Sequence, residues 1–228
     1  MLILAIETSS ELASLAISDQ GRLLAETSFT HGRDLCGRLT TSLDHLLRDS
    51  KLRIEQVEAV AVGLGPGSFT GLRIGVATAK GLAQARGLPV VGASSLHAAA
   101  SPFLRGGRLV CAVIRSHRQY LYAGMYRLGS RKPIVADYAT EQEELLTRLQ
   151  GLGGPLLLCG QAAEALGSRD SLPALDVEYA PEPFSLPRAG SVAQIAWERL
   201  SRGASDDLMA LVPNYLRPAP VHPGAERR

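Results

Sequence analysis

Apolar residues come in short alternating or continuous blocks at the start of the chain. They predict three consecutive strands, Leu2 to Ile6, Leu12 to Ser18 and Leu23 to Phe29. Asp19-Gln20-Gly21 joins the last two as a short hairpin turn. The period then changes: Leu35, Leu39, Leu43, Leu46 and Leu47 recur at spacings of four, four, three and one, which places them on one helical face behind an N-cap at Asp34. Ala59 to Leu64 is another apolar run of strand length, followed by a glycine-rich loop, a helix to about Arg86 and a strand at Pro89 to Val91.

The same order returns further on with little sequence identity. Arg108 to Ile114, Tyr120 to Arg127 and Ile134 to Tyr138 predict three strands, Glu141 to Leu149 a helix, Leu156 to Cys159 a strand and Gln161 to Leu166 a short helix. A duplicated β-β-β-α-β-α unit follows, with domains at 1–102 and 103–228 and a join near Ser101 to Gly107, where Pro102, Gly106 and Gly107 break the periodicity. Asp170 to Pro187 carries four prolines and is expected to be an irregular crossing. Ala189 to Arg202, with Val192, Ile195, Ala196 and Leu200 on one side, predicts a last long helix; it and the proline-rich tail after Tyr215 are expected to pack back on the first domain.

Composition narrows the function classes. With 46% hydrophobic and 20% charged residues in 228, the chain can bury a substantial core. Its 24 basic and 22 acidic residues leave a net charge of +2, so bulk charge attracts neither nucleic acid nor a membrane. The opening apolar run lacks a basic leader and meets Glu7 too soon for a signal peptide, and no segment reaches the ~20 apolar residues of a membrane span, so a cytoplasmic protein is expected. Cys36, Cys111 and Cys159 lack metal-site spacing and are expected to be buried, reduced thiols.

Chemistry concentrates at Gly65-Pro66-Gly67-Ser68-Phe69-Thr70-Gly71, between a strand and a helix. Amides converging at a helix N-terminus can hold an anion, yet the register of a P-loop or a dinucleotide-binding loop is missing, and a close-packed structural turn is the alternative. Glu7-Thr8-Ser9-Ser10 ends the first strand with a carboxylate and three hydroxyls, either a phosphate-facing turn or a polar hairpin tip. On the helix after the loop, Arg73, Ala77, Lys80 and Gln84 form one narrow stripe, and apolar or small residues occupy most of the rest. Such a helix needs cover from two sides. Gly71, Gly75 and Ala79, four apart, would let a partner's helix approach closely; the leucine helix of the same fold is the competing cover.

The five histidines show no i, i+3 or i+4 pairing, and neither a nucleophile elbow nor a Cys-His pair supports hydrolysis. Arg115, His117, Arg118, Arg127, Arg131 and Lys132 interleave with Tyr120, Tyr122 and Tyr126, which alternation puts on one strand face. That face is either an RNA-stacking surface or an ordinary solvated hairpin.

Leu2-Ile3-Leu4-Ala5-Ile6-Glu7-Thr8-Ser9, then Gly65 through Gly75 with Ala79-Lys80-Gly81-Leu82-Ala83, then Pro89-Val90-Val91-Gly92-Ala93-Ser94-Ser95-Leu96, resemble the TsaB family, small bacterial subunits of the tRNA threonylcarbamoyladenosine synthase. The resemblance extends to Pro213-Asn214-Tyr215-Leu216-Arg217 near the end. It implies an α/β fold of the actin, sugar kinase and Hsp70 (ASKHA) class, with two duplicated ribonuclease H-like domains, the second reduced. The glycine motif is shared with the catalytic paralogue TsaD, whose His-x-x-x-His metal pair falls here on Ser95 and Ala99, with His97 unpaired between them. Metal ligands are therefore missing, and Cys159-Gly160-Gln161 supplies one glycine where nucleotide-binding members of the class use pairs.

The resemblance thus implies a non-catalytic subunit that activates TsaD for threonylcarbamoyl transfer to the adenosine beside the anticodon of tRNAs reading A-starting codons. The alternative is an independent small-molecule kinase or metallopeptidase of the same fold. Expected partners are TsaD, the ATPase TsaE, a second copy of the chain when TsaD is absent, and tRNA through the complex only. ATP, ADP and metal are expected on the partner subunits. The expected partner face comprises Leu35, Leu39, Leu43, Gly71, Leu72, Gly75, Val76, Ala79, Leu82 and Ala83; residues near any bound anion or nucleotide are Glu7, Thr8, Ser9, Gly65, Gly67, Ser68 and Thr70. Two departures from the family pattern stand out: Glu7 replaces its usual Asp, and Arg115-Ser116-His117-Arg118 replaces Asp-Ala-Arg-Arg.

Overall fold

The structure, a computed structural model, describes residues 1–32, 34–116, 120–127, 130, 133–152, 154–161, 163, 166 and 176–216. The first sheet contains β1 (Leu2–Glu7), β2 (Leu12–Asp19), β3 (Arg22–Thr30), β4 (Ala59–Gly63) and β5 (Val90–Ala93), in the order β3-β2-β1-β4-β5. The β2–β3 turn has positive φ at Gln20 and Gly21, the requirement of a tight two-residue hairpin. β1 pairs antiparallel with β2 and parallel with β4, so its carboxyl end opens beside that of β4. Helix α1 (Leu35–Asp49) precedes β4, and α2 (Phe69–Arg86) follows it.

Strand alternation sorts this sheet's two faces by size. Leu4, Ile6, Leu15, Ile17, Val60 and Val62 point to α1 and α2 and build a core with Leu39, Leu46, Val76, Ala79 and Ala83. The opposite face is lined by Ile3, Ala5, Ala16, Ala59, Ala61 and Ala93, and these mostly small side chains let α6 (Ala189–Leu200) pack closely through Val192, Ile195 and Ala196. The chain's last helix therefore belongs spatially to its first sheet. Trp197 of α6 occupies the space beside Gly21, where a Cβ would lie 2.5 Å from its ring.

The second sheet contains β6 (Leu109–Arg115), β7 (Tyr120–Tyr126), β8 (Val135–Glu141), β9 (Leu156–Cys159) and β10 (Val177–Tyr179). Its order, β10-β9-β6-β7-β8, is the first sheet's order repeated, which is the duplicated ASKHA topology. One face packs on α4 (Gln142–Leu152) through Leu145 and Leu149; the other meets Leu96, Ala99 and Ala100 of α3 (Ser95–Ala100), which lies between the sheets.

Three elements depart from the sequence reading. Helix α3 was not anticipated, because it has only six residues and its signal is local: Ser94 caps it by accepting a hydrogen bond from His97 N–H at 3.1 Å. The proline-containing 3-10 turn Ser101–Gly106 then closes the join. Within the expected irregular crossing lie strand β10 and the short helix α5 (Glu182–Ser185); β10 is only three residues long and is held by parallel pairing to β9. The helix expected at Gln161 to Leu166 lies mostly outside the described residues.

Candidate functional site

The carboxyl end of β1 and the glycine loop form one buried assembly. Glu7, Thr8 and Ser9 are all buried, and the loop passes over them with a cis Gly65-Pro66 bond and positive φ at Gly65. Glu7 Oε1 accepts Ser9 N–H at 2.7 Å, and Ser95 Oγ donates to Glu7 Oε2 at 2.8 Å. Ser95 Oγ also accepts Gly65 N–H at 3.2 Å, so one hydroxyl ties β1, α3 and the loop together. Burial pushes the Glu7 carboxyl above the usual carboxylate range, against the hydrogen bonds of Ser9 and Ser95 that favour its charged form.

Three of the loop's amides are satisfied inside the chain. Ser68 N–H donates to the Ser9 carbonyl at 2.7 Å, and Gly71 N–H to the Ser68 hydroxyl at 3.2 Å. Of the two readings of Glu7, Thr8, Ser9, Gly65, Gly67, Ser68 and Thr70, anion-proximal loop or close-packed turn, these contacts favour the turn. The first five are packed together, but the amides of Gly65, Ser68 and Gly71 are satisfied within the chain, while the Ser68 and Thr70 side chains sit exposed at the helix start. The arrangement acts as a structural seat.

The expected partner face needs a correction. Leu35, Leu39, Gly71, Leu72, Gly75, Val76, Ala79 and Ala83 are buried within the chain, and Leu43 and Leu82 are half-buried against the same core. Period counting could not tell inside from outside, because α2 is apolar on most of its circumference. The positions of α2 that face outward are Thr70, Arg73, Ala77, Gly81, Gln84 and Ala85. On the adjoining α1 they include Cys36, Gly37, Thr40, Thr41 and Asp44. Cys36 is thus exposed, whereas Cys111 and Cys159 are buried as expected; burial pushes the Cys111 thiol up to about 12.

Ser95 and Ala99, on which the resemblance lays the paralogue's metal pair, are both enclosed. Ser95 is engaged with Glu7, and Ala99 is buried against the second sheet. Among the described residues, no group of three or more His, Cys, Asp or Glu side chains could hold a metal. His97 stacks flat on Tyr126 at 4.8 Å between ring centroids, and burial lowers its pKa against the pull of Asp137 and Glu198. Asp137 receives hydrogen bonds from Tyr126 and, at 2.6 Å, from Ser94. Tyr126 therefore serves the junction between the halves and is not free for base stacking, and Tyr122 packs half-buried beside it; His117, Arg118, Arg131 and Lys132 of the basic cluster lie outside the described residues. Between the β1–β2 turn and the ends of β9 and β10, Glu11, Gly160, Tyr179 and Ser185 line a cavity of about 80 Å³, well below the ~300 Å³ at which small-molecule sites begin.

Sequence reasoning expected the last helix and the tail to return to the first domain without naming a contact; the tail beyond Leu216 lies outside the described residues. After α6, Asp206 accepts two hydrogen bonds from the Arg199 guanidinium and one from Gly92 N–H. The chain then crosses α2, where Lys80 Nζ donates to the carbonyls of Met209 and Leu211 at 3.2 and 3.1 Å. Tyr215 packs on Phe69 at 5.2 Å and accepts a hydrogen bond from Arg73 Nε at 3.1 Å. The polar stripe of α2 is in part a tail-binding stripe. Its signal was present in Arg73 and Lys80, two long cations four and eleven residues beyond the start of a mostly apolar helix, but their partners lie more than 120 positions away in sequence.

Comparison with known proteins gives a consistent result. A family model described as TsaD, tRNA N6-adenosine threonylcarbamoyltransferase, matches residues 31–178. The tRNA threonylcarbamoyladenosine biosynthesis protein TsaB of Escherichia coli (strain K12) is 31% identical over 225 residues, covering 95% of each chain. YeaZ from Pseudomonas aeruginosa superimposes with a TM-score of 0.78 at 26% identity, covering 94% of this chain and 99% of that one. At the level of fold alone, component A of the Acidaminococcus fermentans (R)-2-hydroxyglutaryl-CoA dehydratase matches with a TM-score of 0.55 at 12% identity.

Proposed function

The chain belongs to the TsaB family, and we propose that it is a non-catalytic subunit whose α1–α2 face docks on a TsaD-type transferase and holds it active for threonylcarbamoyl transfer to tRNA. The observation that carries the docking face is Gly81. It lies inside the 18-residue helix α2, it is exposed, and a Cβ there would meet nothing within 4 Å. A glycine inside a helix costs about 1 kcal/mol relative to alanine, and nothing among the described residues uses that absence of a side chain. Close approach of a second helix accounts for it.

The same reading assigns the transferase chemistry, with its metal and nucleotide, to the partner subunits, because Ser95 and Ala99 offer no imidazole. It places a TsaE-type ATPase at the same junction, brings tRNA to this chain through the complex only, and makes self-association through the α1–α2 face the state adopted without TsaD. Among the described residues, no helix is long and apolar enough to cross a membrane, and the cytoplasm, where tRNA is modified, is the proposed location. The test is reconstitution of the tRNA modification with and without this chain, together with Gly81→Leu. The variant is expected to fold normally, to lose co-elution with the transferase and to lose modification activity. A well-folded Gly81→Leu protein that still co-elutes and activates would overturn the α1–α2 face.

A further inference from the structure

Glycines at 63, 67, 71 and 75 recur at every fourth position from the end of β4 into α2. All four are occupied from one direction. A Cβ at Gly63 would meet Glu7 Oε2; at Gly67, the Ser9 carbonyl; at Gly71, the Thr8 carbonyl; and at Gly75, Thr8 Oγ1, each closer than 3.0 Å. A single three-residue turn therefore fills the whole row. Thr8 also grips the helix directly, since its Oγ1 donates to the Gly71 carbonyl at 2.8 Å. Behind it, Glu7 is fixed to Ser9 and Ser95 inside the protein, so the turn is rigid on the side away from α2.

We infer that Thr8 is the positioning residue for α2: seated in the notch opened by Gly71 and Gly75, it sets the height and rotation at which the helix presents Ala77 and Gly81. The inference rests on the proposal that this face docks a partner. Its physical basis is rigidity. Gly81 lies six residues beyond Gly75, under two turns along one helix, so a shift at the notch carries through to the outer stripe. An added Cβ at Gly75 needs about 1 Å more separation from Thr8 to reach ordinary contact. A helix packed this closely on a buried, hydrogen-bonded turn does not absorb such a displacement without losing contacts.

The test uses the full chain and its transferase partner, with affinity read by calorimetry and the stability of each variant by thermal unfolding. Gly75→Ala is expected to weaken binding about tenfold or more, and Thr8→Ala in the same chain to restore it to within about threefold, because removing Oγ1 makes room for the new methyl. Thr8→Ser, which keeps the hydroxyl, should bind as the unaltered chain does. Thr8→Val, which keeps the volume without the donor, should bind more weakly. If the double variant is as stable as the unaltered chain yet binds no better than Gly75→Ala, or if Gly75→Ala binds normally, the inference is overturned. If the unaltered chain does not bind the transferase at all, the docking proposal fails, and amide exchange across Val76 to Gln84 then decides the positioning role. Faster exchange in Gly75→Ala that reverts in the double variant supports it, and unchanged exchange overturns it.

Discussion

The two halves of the molecule repeat one strand order but fill the same junction differently. In the first, the central strand β1 ends in buried Glu7 and is followed by buried Thr8 and Ser9, and the stretch from the end of β4 into α2 surrounds them with glycines at 63, 67, 71 and 75. In the second, the central strand β6 ends in exposed Arg115, and β9 is followed by Gly160, whose missing side chain leaves room for the Val113 carbonyl. One junction is a packed polar seat from which α2 starts; the other is a single close backbone crossing. Topology follows from strand pairing and can be duplicated with little sequence in common, whereas the seat requires particular residues at particular contacts.

The sharpest break in that contrast is Gly160→Ala. It combines a positive φ of 96° with a collision against the Val113 backbone, so a loss of about 3–4 kcal/mol is expected by urea unfolding, with no specific loss of partner affinity in the protein that remains folded. Next comes Gly71→Ala, which collides with the Thr8 carbonyl without backbone strain and should cost about 2–3 kcal/mol. Unlike the change at Gly160, it should weaken partner binding beyond what its stability loss explains.

Glu7→Gln probes the seat's chemistry. Because Glu7 holds its proton more tightly folded than unfolded, its stabilising contribution is complete below the ordinary value of 4.5 and is lost as pH rises through the raised folded value. The groups touching it, Ser9, Ser95 and Gly63, carry no charge to reverse that sign. Gln cannot ionise, so the variant should match the unaltered chain near pH 4 and unfold at a higher temperature at pH 8, as calorimetric scans would show. A steeper fall with pH in the variant would contradict the upward shift of the Glu7 carboxyl. The smallest effect belongs to Gly81→Ala, where open space and better helix propensity predict a gain of up to ~1 kcal/mol in the isolated chain. Partner affinity should fall in the same variant.

Several features were legible from local pattern alone. The alternation in Leu12 to Ser18 and Tyr120 to Tyr126, the leucine spacing of α1 and the glycine-to-helix handover at Ser68 each carry their signal within a few residues. Helix α3 and strand β10 were not legible, because six and three residues are too few for a period to show; contacts with distant strands hold them. The site was legible as a location, with a packed turn and an exposed surface left as alternatives. The glycines at 71 and 75 mark close approach, which is what the absence of a Cβ means, but one-dimensional spacing does not say what approaches.

The sequence by itself determined the duplicated strand and helix order, the absence of the paralogue's imidazole pair at Ser95 and Ala99, and the family to which the chain belongs. Only the tertiary structure decided which faces are spent inside. It put Thr8 into the glycine notch from 63 positions away, laid α6 on the first sheet's alanines and drew the tail over Arg73 and Lys80. The reason is physical: periodicity reports that a face is to be covered, while the identity of its cover depends on contacts between segments far apart in the chain, which local pattern does not encode.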